Sequence, residues 1–208
     1  MQIIPSILTD SVDDLKTKLA SIHGLNLTIQ VDFMDGQFVK TRSLQPDDLP
    51  QELAGVSWEA HLMVQDPMSW SPPLYRLGCM RLYWHSEVLP EGLALPVHSA
   101  HIEHGLALRL ETPISIIAPY LANLSSVLLL SIKNPGSQGE SFDESVYEKI
   151  RQLKALHPRL KVTVDGGVKI EHMKPLTKLG VDRVSVGSAF WKFGDSKTLL
   201  AAFRHATL

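Results

Sequence analysis

The stretch IQVDFMDG at 29–36 decides the fold. It follows Leu27 and Thr28, so an aliphatic, β-branched run passes straight into two aspartates and a glycine. Such a run reads as a strand covered on both faces, and acidic residues where it stops read as working groups at its C-terminal end. The segment VTVDGGV at 162–168 has the same pattern, with Asp165 in the place of Asp32.

Outward from these two, short apolar runs recur along the whole chain. They fall at Gln2 to Ile4, Leu27 to Val31, Val56 to Trp58, Met80 to Trp84, Gly105 to Leu110, Ser126 to Ile132, Leu160 to Val164 and Arg183 to Val186. Helix-like segments lie between them, clearest at Val12 to Ile22, Glu144 to Leu156 and Lys197 to Phe203. In the second, Val146, Ile150 and Leu153 form one apolar stripe flanked by Glu148, Lys149 and Arg151. Asp10 or Ser11 can cap the first helix, and Asp143 and Glu144 put negative charge at the start of the second. Eight apolar strands alternating with helices predict a parallel sheet closed on itself, an α/β (β/α)8 TIM barrel forming a single domain over 1–208. An open doubly wound sheet would also alternate, but it carries a glycine fingerprint after its first strand, where this chain reads PSIL. At 208 residues the barrel must be trimmed relative to the usual length of about 250. Trp70 to Ala100, with SWSPP and scattered prolines, predicts short or broken third and fourth helices.

Composition narrows the function. A formal charge of −2, from 20 basic and 22 acidic residues with no basic run, argues against nucleic acid as a partner. The longest apolar stretch, around Val127 to Leu130, is too short to span a membrane. The lone Cys79 cannot form an internal disulfide, and MQIIPSILTD lacks the basic start and long apolar run of a signal peptide, so a cytoplasmic location is expected.

In a barrel the chemistry sits at the strand ends. These offer Ser6, then Gln30, Asp32 and Asp35, His61, His85 and Glu87, Ser131 and Asn134, Asp165, and Ser188. Asp32 and Asp165 would point into one cavity from different sides, which suits removal of a proton on one face of a substrate carbon and its return on the other. A single aspartate after a strand equally well caps the next turn. Three glycine-bearing loops in succession, NPGSQGESF (with Gly136, Ser137, Gln138 and Gly139), DGGV (Gly166 and Gly167) and VGSAF (Gly187 and Ser188), offer backbone amides where barrels hold phosphate. Asp32, His61 and Asp165 can together hold a divalent cation, and Gln30 can add an amide oxygen.

The ordered set PSIL (5–8), VDFMDGQFV (31–39), AHLMVQDP (60–67), WHSE (84–87), NPGSQGESF (134–142), VDGGV (164–168) and VGSAF (186–190) resembles the ribulose-phosphate 3-epimerases almost end to end. Those are metal-assisted (β/α)8 isomerases of the pentose phosphate pathway, so the resemblance implies an epimerase of ketose phosphates. It implies that Asp32 and Asp165 abstract and return the proton and, with His61, bind a Zn, Fe, Mn or Co ion. It further implies substrate contacts from Ser6, Met34 and Met63, and phosphate contacts from the amides of Gly136, Ser137, Gln138, Gly139, Gly167, Gly187 and Ser188. Small phosphorylated sugars are the implied partner, and homo-oligomers the implied state.

Three features depart from the family pattern. Gln30 stands where a metal-ligating histidine is usual; the loop reads LSIKNPGSQGES, with bulkier Ser137 and Gln138; and Lys40, Thr41 and Arg42 stand where an asparagine is usual. An amide oxygen is a poorer donor than imidazole for zinc or iron, so the implied metal is held weakly or is absent. Two readings therefore stay open: an active epimerase, or a catalytically impaired relative that still binds a phosphorylated sugar. A phosphate-barrel lyase or decarboxylase fits less well, because no lysine follows strands two or three until Lys40.

Overall fold

In a computed structural model, the chain is described over residues 1–90, 93, 95, 102–192 and 195–207. Eight parallel strands close into a barrel in sequence order. They are β1 (Gln2–Ile7), β2 (Thr28–Met34), β3 (Ser57–Met63), β4 (Arg81–His85), β5 (Glu103–Leu108), β6 (Ser126–Leu130), β7 (Lys161–Asp165) and β8 (Arg183–Val186). The helices are α1 (Val12–Ser21), α2 (Pro67–Arg76), α3 (Val146–Leu156), α4 (Ile170–Lys178), α5 (Ser188–Trp191) and α6 (Ser196–His205). None among the described residues is long and apolar enough to cross a membrane.

Each strand divides its side chains between two environments by its period of two. Ile29, Val31 and Phe33 of β2, Trp58, Ala60 and Leu62 of β3, and Val162 and Val164 of β7 join the outer core beneath the helices. The alternate residues face inward. Gln30, Asp32 and Met34 thus share the barrel interior with Glu59, His61, Met63, Thr163 and Asp165. Tyr83, Ala107, Leu128 and Leu130 form a small separate core inside the barrel. Below it Arg81 pairs with Glu59 and, at 2.7 Å, with Glu103, while Tyr83 hydrogen-bonds Thr163 at 2.9 Å. These contacts floor the cavity above.

Trimming falls on particular crossovers. Between β2 and β3 the chain makes only short 3-10 turns at Pro46–Asp48 and Gln51–Gly55, and between β5 and β6 one at Ile114–Tyr120. Helix α2 departs from expectation: it runs ten residues unbroken through Pro72 and Pro73. Its buried side explains this. Asp66 caps its first turn, Ser71 Oγ donates to the Pro67 carbonyl at 2.7 Å, and the indole of Trp84 donates to Ser71 at 3.1 Å. Tertiary contacts thus hold a helix that local propensity would break. After β4 the described residues show only the turn Ser86–Val88; the rest of the stretch in which a fourth helix was expected lies largely outside them. Ser11, not Asp10, caps α1 by accepting from the Asp14 amide, and helix α3 begins at Val146 rather than Glu144.

Candidate active site

The inner face of β2 sets the site. Asp32 lies in register with His61 on β3, and Gln30 sits one pleat deeper on the same face. From there its amide Nε2 donates to Asp32 Oδ1 at 2.7 Å and to Asp165 Oδ2, at the end of β7, at 2.8 Å. One amide group therefore bridges both carboxylates. Gln30 and His61 are fully buried, and Asp32 and Asp165 are nearly so.

His61 faces the same pair. Its Nδ1 is 3.3 Å from Asp165 Oδ2 and 3.4 Å from Asp32 Oδ1, close enough for strong attraction, yet it lacks hydrogen-bond geometry to either. Burial alone would lower the basicity of His61, but the two carboxylates outweigh it and push the ring up to about 9. Burial likewise raises Asp32 above the ordinary carboxylate range; His61 and Gln30 pull it back in part, and the Asp165 charge pushes it further up. Two carboxylates aimed at one point repel when both are charged, which favours the sharing of a proton at this spot.

The donor set fits a divalent cation. Asp32, His61 and Asp165 each offer a ligand atom, all within 4.8 Å of one another. Among the described residues two buried polar atoms here lack a hydrogen-bond partner, His61 Nδ1 and Gln30 Oε1. Nδ1 lies between the carboxylates, and a half-turn of the Gln30 amide would bring Oε1 toward them in place of the NH2 group.

Above this group lies a cavity of about 680 Å³. Ser6, Asp32, Asp165, Ser137, Gln138, Gly139, Gly166, Gly167, Gly187 and Ser188 line it. Gly167 is held against the neighbouring loop, where a Cβ would stand 2.5 Å from the Phe142 amide nitrogen. Gly136 is not among the lining residues. It is buried beneath Met34, Val39 and Thr41, and its carbonyl accepts from Thr41 Oγ1 at 2.9 Å, so Thr41 ties two site loops together. Met34 and Met63 cluster with Val39, Leu8 and Phe38 as an apolar wall.

Other strand-end residues have local duties. Asp35 accepts from the amides of Gln37, Phe38 and Gln65 and so shapes the turn after β2. Ser131 Oγ donates to the Asp165 and Gly166 carbonyls, fixing the turn after β7. Asn134 Nδ2 donates to Glu140 Oε2 at 3.3 Å. His85 places Nε2 at 3.0 Å from His61 Nε2 and Nδ1 at 2.9 Å from Glu87 Oε2. Burial holds His85 down to about 4, so its ring is neutral. Lys18, Lys169, Lys192 and Trp191 also line the cavity, and sequence patterns did not single them out. Trp191 Nε1 donates to the Ser6 carbonyl at 2.6 Å. Only the run VGSAFWK, which puts Trp191 and Lys192 just after a phosphate-type loop, carried a signal for any of them.

Comparison with known proteins adds to this geometry. A sequence profile described as "Ribulose-phosphate 3 epimerase family" matches residues 2–191. The chain is 28% identical to a protein named ribulose-phosphate 3-epimerase from Mycobacterium tuberculosis, covering 97% of this chain and 91% of that one. It is 27% identical to one of the same name from Bacillus subtilis, covering 98% of each. Among solved structures, 3-hexulose-6-phosphate synthase from Salmonella typhimurium superposes with a TM-score of 0.69 at 11% identity, covering 100% of this chain and 98% of the other. N-(5'-phosphoribosyl)anthranilate isomerase from Pyrococcus furiosus gives 0.63 at 17%, covering 100% and 98%. At such identities the structural matches speak to the barrel alone.

Proposed function

The chain belongs to the ribulose-phosphate 3-epimerase family, and from that premise we propose that it epimerises a ketose phosphate at the carbon beside the carbonyl. The observation that carries this reading is the shared amide. Gln30 Nε2 can reach one oxygen of Asp32 and one of Asp165 only because both carboxylates face the same point.

Whichever aspartate is ionised takes the proton, breaking the C–H bond and leaving an enediolate whose charge resides on the former carbonyl oxygen. The other, still protonated, delivers its own proton to the opposite face, which restores the carbonyl and inverts the carbon. The roles swap for the reverse reaction. Asp32, His61 and Asp165, with the Gln30 amide oxygen as a further donor, are the residues that would hold a divalent ion, and such an ion supplies positive charge for the enediolate oxygen. Gly166, Gly167, Gly187 and Ser188, which line the cavity with Lys169 and Lys192, are the residues that would take the phosphate. Burial of the acid–base pair keeps bulk water from competing for the proton.

Gln30 also favours a second reading. With its NH2 group turned inward, it places a donor between the carboxylates and sets the chain apart from relatives with a histidine there. A member adapted to bind a phosphorylated sugar without turning it over would look the same. Incubation with ribulose 5-phosphate and Mn2+ in D2O separates the two. The epimerase incorporates deuterium at C3, and the binding protein shows saturable binding with no exchange.

A further inference from the structure

We infer that Glu87 and His85 are positioning residues, a buried hydrogen-bond relay that holds His61 in the tautomer able to ligate a cation. The inference rests on the metal-assisted reading above and extends it to residues that touch neither substrate nor ion.

The direction of the relay follows from which atoms can donate. A carboxylate only accepts. Glu87 Oε1 is taken by the Arg109 amide at 2.8 Å and by the Thr112 hydroxyl, leaving Oε2 facing His85 Nδ1 at 2.9 Å. His85 Nδ1 must therefore carry the hydrogen, and the neutral ring is bare at Nε2. That bare nitrogen lies 3.0 Å from His61 Nε2. Two ring nitrogens at this distance need one hydrogen between them, and only His61 can supply it. With Nε2–H committed to His85, the proton that a cation can displace from His61 is the one on Nδ1, so the lone pair it frees faces Asp32 and Asp165.

Without this constraint the carboxylates would favour the opposite tautomer, with Nδ1–H donating to them and closed to metal. Glu87 thus fixes at one end what His61 presents at the other. The geometry is braced: Phe38 lies against the His85 ring at 4.4 Å, and the Arg109 guanidinium covers Phe38 at 4.2 Å while donating to its carbonyl at 3.0 Å. Outer partners that set the tautomer of a ligating histidine typically govern metal affinity by about 10- to 100-fold.

Glu87→Gln tests the relay with an almost isosteric change. Its amide oxygen can still accept from Arg109 and Thr112, but its NH2 group donates to His85 Nδ1. This moves the His85 hydrogen to Nε2 and the His61 hydrogen to Nδ1. In full-length protein labelled with 15N-histidine, two-bond 1H–15N spectra should show the wild-type His85 protonated at Nδ1 and the variant at Nε2. Mn2+ titrations should show a variant affinity about 10- to 100-fold weaker. A wild-type His85 protonated at Nε2, or a variant that binds Mn2+ as the wild type does, overturns the relay. Should Glu87→Gln fail to fold, the wild-type spectrum still decides. A wild type with the expected tautomer but no Mn2+ binding would instead sink the metal reading of the preceding section.

Discussion

Gln30 on β2 reaches across the barrel to Asp165 on β7, donating its amide hydrogen at 2.8 Å between residues 135 positions apart in sequence. The same nitrogen also holds Asp32, so the amide partly neutralises a pair of carboxylates that would otherwise repel. Replacing it by imidazole returns a nitrogen lone pair to the cation site. We expect Gln30→His to bind Zn2+ at least about tenfold more tightly, as suits a borderline-soft ion offered a second imidazole. Deuterium exchange on ribulose 5-phosphate should rise with it. Competition with a fluorescent chelator measures the affinity, and equal Zn2+ binding by parent and variant would show that Gln30 is not limiting.

The two aspartates should be individually indispensable, because each turnover uses both, one in each half-reaction. Asp32→Asn and Asp165→Asn remove, in turn, the acceptor on one face and the donor on the other. Each should lower epimerisation by about 10²- to 10⁴-fold. Exchange should differ from turnover: a variant that retains one working base can still wash deuterium into the substrate from one face without inverting it. Mass spectrometry of recovered substrate, alongside a chiral assay, distinguishes the two. Full epimerase activity in either variant would remove that residue from the mechanism.

Much of this site was legible in the sequence, and what was not has a common physical origin. Strand β2 was expected to stop at Val31 but runs to Met34, because Gln30, Asp32 and Met34 face the barrel interior, where polar residues at a strand's mouth mimic a strand end. Strand β3, expected over Val56 to Trp58, runs over Ser57–Met63 for the same reason, with His61 inside it rather than beyond its end. The aspartates and glycine loops could be found because each follows an apolar run at a topologically fixed position. The ring contact between His61 and His85 could not, since it depends on how side chains turn inside the barrel. Nor could Lys18, whose place on the cavity wall depends on how α1 docks. Helix α2 was misjudged because a buried Trp84–Ser71 hydrogen bond leaves no local trace in SWSPP.

Acid should weaken the N-terminal end of β8 through Asp182. Its burial favours the neutral form, but Lys154 at 2.7 Å, the Val162 amide at 2.9 Å and Lys161 at 3.0 Å outweigh this and hold the carboxyl below its ordinary range. A carboxylate depressed on folding contributes stability that is present above its unfolded value and lost as pH falls through the folded one. Since the site is partly solvated, we expect Asp182→Asn to cost about 1 kcal/mol at pH 7. The gap between wild type and variant in urea unfolding should shrink steadily as pH falls below the ordinary carboxylate range. A gap that is unchanged at pH 3 would count against the ion pairs as its source.

Gly167 and Gly139 separate the cost of a backbone conformation from the cost of a collision. Both take positive φ, +64° and +79°, where an L side chain loses about 1–2 kcal/mol. Around Gly139 nothing lies within 4 Å of a new Cβ, so Gly139→Ala should lose only that. At Gly167 the Cβ would stand 2.5 Å from the Phe142 nitrogen and 2.8 Å from the Glu140 carbonyl oxygen, both backbone atoms that cannot turn aside. Gly167→Ala must therefore push the 140–142 segment away from the turn that follows β7. We expect a loss of stability at least about 1 kcal/mol greater than at Gly139, in keeping with the added cost of overpacking. Because Gly167 and Glu140 both line the cavity, affinity for a sugar phosphate should fall as well, whereas inserting Cβ at Gly139 leaves the facing wall where it is. Paired urea unfolding and ligand titration check both halves, and equal losses at the two glycines would mean that the two loops are not held together at Gly167.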